Sequence, residues 1–181
     1  NTKLFITKDY LCKMRLFLQL IAIIYNIIIT FRNILFDYHI LRSKKHKIPV
    51  ICIGNLSLGG SGKTPQTNYI AKLLSKDYNV AILSRGYGRR SSGFYYVKLD
   101  SLPQVVGDEP LQLKYNNPDC LIAVNKNRNK AVKKIIQDYP ETNIILLDDG
   151  FQHRWINAGL NILITPFKKP YTKDCLIPLG R

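Results

Sequence analysis

Cysteine and acidic residues are both scarce in this sequence. The cysteines form no C-x-x-C pair and no cluster with histidine at the spacing of a metal site; they are Cys12, Cys52, Cys120 and Cys175. This scatter excludes a disulfide framework and a zinc ribbon, and it predicts reduced thiols that are mostly buried. Internal repeats and low-complexity segments are also lacking, and a hydrophobic share of 46% in 181 residues excludes a disordered or collagen-like chain.

The shortage of acidic residues leaves a large excess of positive charge. The chain has 12 Asp and Glu against 27 Lys and Arg, so its formal net charge is +15 at pH 7. Such an excess is compatible with a partner that carries phosphate, either nucleic acid or anionic lipid, and also with a solvated lysine-rich surface. Because the sequence contains no helix-turn-helix, RNP or zinc-finger signature, it does not favour a nucleic-acid partner.

An uncharged apolar stretch covers residues 16–31. It is shorter than the roughly 20 residues that span a bilayer, and no small-residue cleavage site of a signal peptide follows it. Basic residues flank it on both sides, namely Lys3, Lys8, Lys13 and Arg15 before it and Arg32, Arg42, Lys44, Lys45 and Lys47 after it. This symmetry predicts a membrane-associated helix whose two ends contact anionic head groups, with a helix of a soluble core or oligomer as the alternative. Spanning and interfacial positions both stay open.

Beyond this segment, short apolar runs alternate with helical patterns. The runs predict strands at residues 50–53, 80–83, 94–97, 121–124, 144–147 and 162–164, and the segments between them predict helices at 63–74, 109–114 and 126–137. This alternation is typical of an α/β domain with a largely parallel sheet flanked by helices. We therefore expect a membrane-associated helix with basic flanks over residues 1–47 and an α/β core over residues 48–181.

A glycine-rich loop, GNLSLGGSGKT over residues 54–64, joins the first predicted strand to the first predicted helix. Its backbone N–H groups and the helix N-terminus can cradle an anion, Lys63 can reach the β- and γ-phosphates, and Thr64 can bind Mg²⁺. The predicted nucleotide-binding residues are Gly59, Gly60, Ser61, Gly62, Lys63 and Thr64. The strict phosphate-loop pattern would have glycine at Ser57, and the partitioning ATPases would have lysine at Leu58, so that subclass is not favoured.

Two acidic residues, Asp148 and Asp149, directly follow the predicted strand 144–147. Because parallel strands deliver their carboxyl ends to one edge of the sheet, we expect these residues close to the glycine-rich loop. An acidic residue there can hold the Mg²⁺ of a bound nucleotide directly or through water. The alternative is a pair of turn aspartates before Gly150.

Two further segments have both a structural and a functional interpretation. Gly107-Asp108-Glu109-Pro110 is a helix start in which the acids complement the helix dipole; alternatively, Asp108 projects into the site as a base or metal ligand. An arginine- and glycine-rich loop over residues 84–90 follows a predicted strand, and it is either a solvated basic turn or a loop that holds a phosphorylated substrate.

Taken together, these motifs resemble the tetraacyldisaccharide 4′-kinases, the lipid A 4′-kinase family. The segments GNLSLGGSGKTP, LSRGYGR, VGDEP, residues 125–128 and LLDDGFQH occur in the family's order and approximate spacing, and the resemblance covers residues 14–181. The combination of DDGFQH with a preceding GGSGKTP loop is highly specific. Ser or Thr commonly stands at the position of Ser57 in that family, so this departure from the strict phosphate-loop pattern is expected.

The resemblance implies an ATP- and Mg²⁺-dependent kinase at the cytosolic face of the bacterial inner membrane. Its substrate would be tetraacyldisaccharide 1-phosphate, phosphorylated on the 4′-hydroxyl to give lipid IVA. By motif match, Asp108 would activate the hydroxyl, and Lys63 and Asp149 would complete the catalytic set. Metal binding would fall to Thr64, Asp148 and Glu109, and weaker matches for contacts to substrate or phosphate are Arg85, Tyr87, Arg128, Gln152 and His153.

Members of that family are substantially longer than this chain. We therefore expect that a second, C-terminal domain, which completes the cleft and supplies a histidine to pair with the catalytic aspartate, is missing here. His153 is not that histidine. The chain as given is then expected to bind nucleotide and to turn over poorly or not at all.

An alternative function of another class uses the same nucleotide but has no lipid acceptor. A membrane-bound NTPase that acts as a switch would carry the same glycine-rich loop and hydrolyse ATP to water. A lipid acceptor predicts acceptor-dependent ADP release, whereas a switch predicts slow ADP release without an acceptor.

Overall fold

All six apolar runs form strands of one mixed sheet. The computed structural model describes residues 2–56, 62–168 and 170–173. The strands are β1 (Val50–Asn55), β2 (Val80–Ser84), β3 (Tyr95–Tyr96), β4 (Leu121–Val124), β5 (Ile144–Asp148) and β6 (Leu160–Ile164). They lie in the order β3-β4-β2-β5-β1-β6. Pairings among β1, β2, β4, β5 and β6 are parallel and β3 pairs antiparallel with β4, so the predicted α/β fold with a largely parallel sheet is confirmed.

Helices form in all of the predicted intervals, and one short helix at Pro103–Val106 was not predicted. They are α1 (Thr2–Asp37), α2 (Lys63–Leu74), α3 (Pro103–Val106), α4 (Asp108–Asn116) and α5 (Arg128–Asp138), followed by a 3₁₀ turn at Tyr171–Lys173. The bounds of α2 are as predicted. The predicted start of α5 at residue 126 was wrong, because the Asn127 side chain accepts a hydrogen bond from the Lys130 backbone N–H and caps the helix there.

Both faces of the parallel sheet are covered, as parallel sheets require. On one face, Ile70 and Ala71 of α2 and Leu113 of α4 pack with alternate strand residues. On the other, α5 contributes Ala131, Val132 and Ile135. Cys52 and Cys120 are free and buried, as predicted for small apolar side chains.

The chain divides into two compact units, which are described separately. One unit contains the sheet and its helices, with described residues 43–56 and 62–164. The other contains α1 and the described residues from 165 onward. Segment 43–47 belongs to the sheet unit, where the Lys44 N–H donates to the Trp155 carbonyl and the Asn157 N–H donates to the Lys44 carbonyl.

Helix α1 is longer than the predicted 16–31, since it continues through the charged residues on both sides for 36 residues. Its part Leu16–Asp37, 22 residues, is long and apolar enough to cross a membrane by length and composition. Most of this stretch is exposed within the chain, whereas a long apolar helix in the core of a soluble protein is mostly buried.

Candidate active site

Three strands end side by side at one edge of the sheet. β1 ends at Asn55, β2 at Ser84 and β5 at Asp148, and these three end residues are buried. In the register of β1 with β5, Ile53 lies opposite Asp148. The loops that carry the candidate residues therefore begin at one buried edge of the sheet. We call this edge, formed by Asn55, Ser84 and Asp148, the floor of the site.

Lys63 extends from the start of α2 back over this floor. Gly62 precedes it with a φ of 81°, a backbone conformation that glycine adopts without strain. The Lys63 Nζ donates a hydrogen bond to Asn55 Oδ1 at 3.1 Å and lies 3.6 Å from Asp149 Oδ1. Thr64 follows in the first helical turn, half-buried. The predicted residues Gly59, Gly60 and Ser61 lie outside the described residues.

Asp148 is a buried carboxylate. It is 2% exposed, and Thr67 Oγ1 of α2 donates a hydrogen bond to its Oδ1 at 3.0 Å. Burial raises the pKa of the Asp148 carboxyl to about 6, and the charges of Glu109 and Asp149 act in the same direction against the hydrogen bonds from Thr67 and Ser84. A nearby cation would relieve this cost by favouring the ionised form of Asp148.

The turn after β5 is closely packed and conformationally unusual. Asp149 has a φ of 52°, a region that Asp enters more readily than most residues. Gly150 leaves no room for a side chain, because a Cβ there would lie 2.9 Å from Leu147 Cβ and 3.0 Å from Cys52 Sγ. The Gly150 N–H donates to the Ile53 carbonyl at 3.2 Å, which ties the turn to β1.

Arg128, the first residue of α5, holds this turn from the other side. It is 5% exposed, and its Nη2 donates to the Asp149 carbonyl at 3.3 Å. Burial lowers the pKa of the Arg128 guanidinium from its ordinary value, and the neighbouring charge of Arg85 adds to this. Arg128 thus touches the backbone of a candidate catalytic residue, which makes it a positioning residue in this structure.

The arginine-rich loop and the start of α4 pack against each other through two glycines. A Cβ on Gly86 would lie 3.1 Å from the Val106 carbonyl oxygen, and a Cβ on Gly107 would lie 3.1 Å from the Tyr87 carbonyl oxygen. Asp108 is the first residue of α4 and is exposed. Gly107 occupies the N-cap and no side chain caps the helix there, so the Asp108 carboxylate is not engaged as an N-cap.

Glu109 and His153 complete the surroundings of the two aspartates. Glu109 is exposed, yet its charge acts on Asp148, so the start of α4 faces the end of β5. His153 is half-buried, and burial together with the charges of Arg128 and Arg85 lowers its pKa to about 4. The imidazole is therefore neutral at pH 7. Of the other predicted substrate residues, Tyr87 is 83% exposed, and Arg85 and Gln152 are exposed as well.

Sequence reasoning missed three polar residues of this site, Asn55, Thr67 and Ser84. Asn55 and Ser84 are the last residues of β1 and β2, and Thr67 lies one helical turn beyond Lys63 and Thr64. Position at a strand end was the available signal for the first two. Thr67 could be found only through its contact with Asp148, because 81 positions separate the two residues.

The arrangement is suited to an anion that brings its own metal ion. Within the described ranges, no three His, Cys, Asp or Glu side chains converge as a ready-made metal cage. A Mg²⁺ that arrives with a nucleotide needs only one or two protein oxygens, since phosphates and water supply the rest. Buried Asp148 and the hydroxyl of Thr64 fit that requirement, and Lys63 supplies the compensating charge for a phosphate.

Comparison with known proteins identifies relatives of this chain. The model of the LpxK family, tetraacyldisaccharide-1-P 4′-kinase, matches residues 14–181. Tetraacyldisaccharide 4′-kinase of Parabacteroides distasonis is 43% identical over 176 residues, 96% of this chain and 47% of that protein. The enzyme of the same name from Flavobacterium psychrophilum is 45% identical over 159 residues, 88% of this chain and 46% of that protein.

A solved structure is similar as well. The crystal structure of the "apo" form of LpxK from Aquifex aeolicus in complex with ATP superposes with a TM-score of 0.85 at 40% identity, covering 93% of this chain and 53% of that one. The chain spans about half the length of the curated relatives it matches. Family match, identity and superposition agree, and the chain therefore belongs to the tetraacyldisaccharide-1-P 4′-kinase family.

Proposed function

We propose that this chain carries the nucleotide-binding half of an ATP-dependent kinase that phosphorylates the 4′-hydroxyl of tetraacyldisaccharide 1-phosphate to give lipid IVA. The observation that carries the proposal is the meeting of Lys63, at the start of α2, with Asp149 beside buried Asp148 at the end of β5. This is the charge arrangement that phosphoryl transfer needs. Family membership supplies the acceptor.

Nucleotide binding falls to the loop before α2. Gly59, Gly60, Ser61 and Gly62 offer backbone N–H groups to the phosphates, and Lys63 donates to the β- and γ-phosphate oxygens. Thr64, Asp148 and Glu109 are the residues that would hold a Mg²⁺ ion. When bound, this ion neutralises charge on the phosphates.

Transfer requires one proton acceptor on the lipid side of the site. The exposed carboxylate of Asp108 takes the proton from the 4′-hydroxyl as its oxygen forms a bond to the γ-phosphorus. The bond from that phosphorus to the β-phosphate oxygen breaks, and ADP leaves. Asp149, 3.6 Å from Lys63 Nζ, would complete the catalytic set by helping to organise metal and water. The exposed position of Asp108 at the start of α4 supports this role, because a substrate hydroxyl could approach its carboxylate there.

Phosphate groups of the substrate need cationic or polar contacts outside the nucleotide site. Exposed Arg85 and Tyr87, on the loop that packs against Gly107, are suited to this contact. Neutral His153 and Gln152 can donate hydrogen bonds at the same edge. Arg128 acts indirectly, by holding the turn of Asp149.

A lipid acceptor requires access to a membrane. We propose that residues 1–47, with the apolar part of α1, associate with anionic lipids at the cytosolic face of the bacterial inner membrane. The long, exposed apolar face of α1 and the basic residues on both sides of it support this. The excess of positive charge then serves lipid head groups rather than nucleic acid.

The test is transfer of ³²P from [γ-³²P]ATP to tetraacyldisaccharide 1-phosphate in detergent micelles. Two proteins are compared: this chain, and a chimera that continues after residue 181 with the C-terminal half of the Parabacteroides distasonis relative. Labelling of the lipid by the chimera supports the kinase. In the chimera, Asp108→Asn should lower kcat far more than it raises KM for the lipid.

The competing switch function makes a different prediction in the same assay. Hydrolysis of ATP by both proteins without labelling of the lipid would contradict the kinase. An unchanged kcat for the Asp108→Asn chimera would contradict the role of Asp108 alone.

A further inference from the structure

Asn55 is a buried polar residue whose side chain contacts the lysine of the nucleotide site. It is the last residue of β1, is 6% exposed, and lies opposite Ile164 in the register of β1 with β6. Its Oδ1 accepts a hydrogen bond from Lys63 Nζ at 3.1 Å. Burial at the end of a paired strand restricts Asn55, whereas the lysine side chain has a flexible four-carbon stem.

Lys63 has a second partner within reach, and the two partners differ in charge. Asp149 Oδ1 lies 3.6 Å from the ammonium nitrogen, farther away than the amide oxygen of Asn55. A carboxylate at close range would neutralise the ammonium and compete with a phosphate for it. An amide oxygen holds the ammonium in place and leaves its charge available. A lysine ammonium has three N–H donors, so one can stay on Asn55 while the others contact phosphate oxygens.

We propose that Asn55 is a positioning residue for Lys63: its neutral oxygen holds the ammonium away from close pairing with Asp149 and thereby sets the affinity for the terminal phosphates of a nucleoside triphosphate. This inference rests on the proposed nucleotide-binding function. It adds Asn55, the last residue of β1, to the nucleotide-binding residues predicted at positions 59–64.

Two substitutions separate the two parts of the proposal. Asn55→Ala removes the anchor, so that Lys63 pairs with Asp149, and ATP binding should weaken roughly 10–100-fold, the range for a lost hydrogen bond to a charged group. Asn55→Asp keeps the shape and the acceptor but adds a negative charge. It should weaken ATP binding more than Asn55→Ala does, and ATP should lose more affinity than ADP in both variants.

A matched control exists in the same unit. Asn117 is 5% exposed, and its Nδ2 donates to Asn68 Oδ1 and to the Leu113 carbonyl, with no contact to Lys63. Asn117→Ala therefore removes a buried amide of the same kind and is expected to lower thermal stability while leaving ATP affinity unchanged. Comparison with this variant separates loss of stability from loss of the anchor.

The experiment has two arms, both on the full chain in detergent micelles. In the first, isothermal titration calorimetry with Mg²⁺ measures dissociation constants for ATP and ADP. In the second, which uses no nucleotide, lysines are reductively methylated with ¹³C-formaldehyde, a change that keeps their charge. The methyl signal of Lys63 is assigned by its loss in Lys63→Arg, and its chemical shift should change in Asn55→Ala but not in Asn117→Ala.

The outcomes distinguish failure of this inference from failure of the proposed function. Tighter ATP binding by Asn55→Ala would overturn the inference, because Asn55 would then restrain Lys63 only in the free protein. If Asn55→Asp binds ATP with wild-type affinity, the proposed requirement for a neutral side chain at this position is overturned. If the Lys63 methyl signal is unchanged in Asn55→Ala, the contact between Asn55 and Lys63 is contradicted. If the wild-type chain binds no ATP, the proposed function fails and the inferred effect on affinity fails with it, whereas a changed Lys63 signal still identifies the contact.

Discussion

At the scale of single residues, the site contains a buried charge that destabilises the folded protein and that a bound cation would stabilise. Asp148 is the clearest case, since its carboxylate is 2% exposed and, among the described residues, the hydroxyl groups of Thr67 and Ser84 favour its ionised form by hydrogen bonds. Such a residue is retained at a cost in stability when its charge is needed, as at many functional sites. The cost is measurable.

We expect Asp148→Asn to stabilise the protein in the absence of metal and to abolish Mg²⁺-dependent ATP binding. The folded pKa of about 6 exceeds the ordinary 3.8, so Asp148 progressively destabilises the fold as pH rises from about 4 to 6, and the effect is constant above that. Its size at neutral pH is at most about 3 kcal/mol. The measurement is thermal unfolding in EDTA at pH 7.5 and at low pH, where the two proteins should converge. Equal melting temperatures at pH 7.5 would contradict this account.

A second residue-scale prediction concerns the close approach of β1 to the turn after β5. A Cβ on Gly54 would lie 2.5 Å from Phe151 Cβ and 2.9 Å from its backbone nitrogen. Gly54→Ala should displace the turn that carries Asp149, destabilise the fold by about 1–3 kcal/mol and weaken ATP binding. Gly159→Ala is the control, since its Cβ would meet only the Val50 carbonyl at 3.8 Å. Equal urea midpoints for the two variants would refute the predicted clash.

At the scale of elements, the start of α5 connects the segment after α1 to the turn of Asp149. His46 Nε2 lies 2.8 Å from Asn129 Oδ1, and the Asn129 Nδ2 donates to the Trp155 carbonyl at 2.9 Å. Arg128, one residue earlier, donates to the Asp149 carbonyl. The start of α5 thus contacts both the segment after α1 and the turn of Asp149, two segments that are far apart in the sequence.

We expect Arg128→Met to raise the pKa of His153 from about 4 towards the ordinary 6.5 and to weaken ATP binding. Burial is the largest cause of the lowered pKa and the charge of Arg128 the next, so the rise should be partial. NMR titration of the histidine Cε1–H signals measures it. Lys134→Met, near the other end of α5 where Lys134 pairs with Asp138 at 2.9 Å, should leave His153 unchanged. An unaltered His153 titration in Arg128→Met would show that the guanidinium charge does not act on the imidazole.

At the scale of the whole molecule, charge and apolar surface are distributed unequally. The net charge is +15, and α1 exposes large apolar side chains, among them Ile23 at 57% and Ile27 at 62%. Exposed apolar side chains at helical spacing beside basic residues are what an anionic bilayer surface attracts.

We expect Ile23→Asp combined with Ile27→Asp to reduce binding to vesicles of mixed neutral and anionic phospholipid by more than about tenfold, because carboxylates are costly in a bilayer. Sedimentation with vesicles measures the bound fraction. Leu73→Asp is the control, since Leu73 lies on α2 and is 51% exposed. If high salt abolishes vesicle binding by the wild-type chain and the double substitution has no effect, the attraction is due to charge, and insertion of the apolar side chains into the bilayer is contradicted.

Much of the architecture follows from local sequence patterns. The differences between predicted and observed bounds of helices and strands also have local causes. α2 matches its predicted bounds because the glycines before it and the apolar spacing within it both mark the helix. The predicted strand 94–97 is reduced to Tyr95–Tyr96, where its antiparallel pairing with β4 covers Val124 and Ala123. α1 extends beyond 16–31 because charged residues with high helix propensity continue a helix as well as apolar ones do.

The sequence by itself determined the class of fold, the glycine-rich loop with Lys63 and Thr64, and the two aspartates after β5, because each is a contiguous pattern that depends on chain neighbours. The tertiary structure alone decided which side chains meet. The contacts of Lys63 with Asn55 and Asp149, of Thr67 with Asp148 and of Arg128 with the Asp149 carbonyl arise only when strand order brings separate loops to one edge of the sheet. The left-handed backbone of Asp149 and the raised pKa of Asp148 have the same origin, since both depend on packing and burial that no local pattern records.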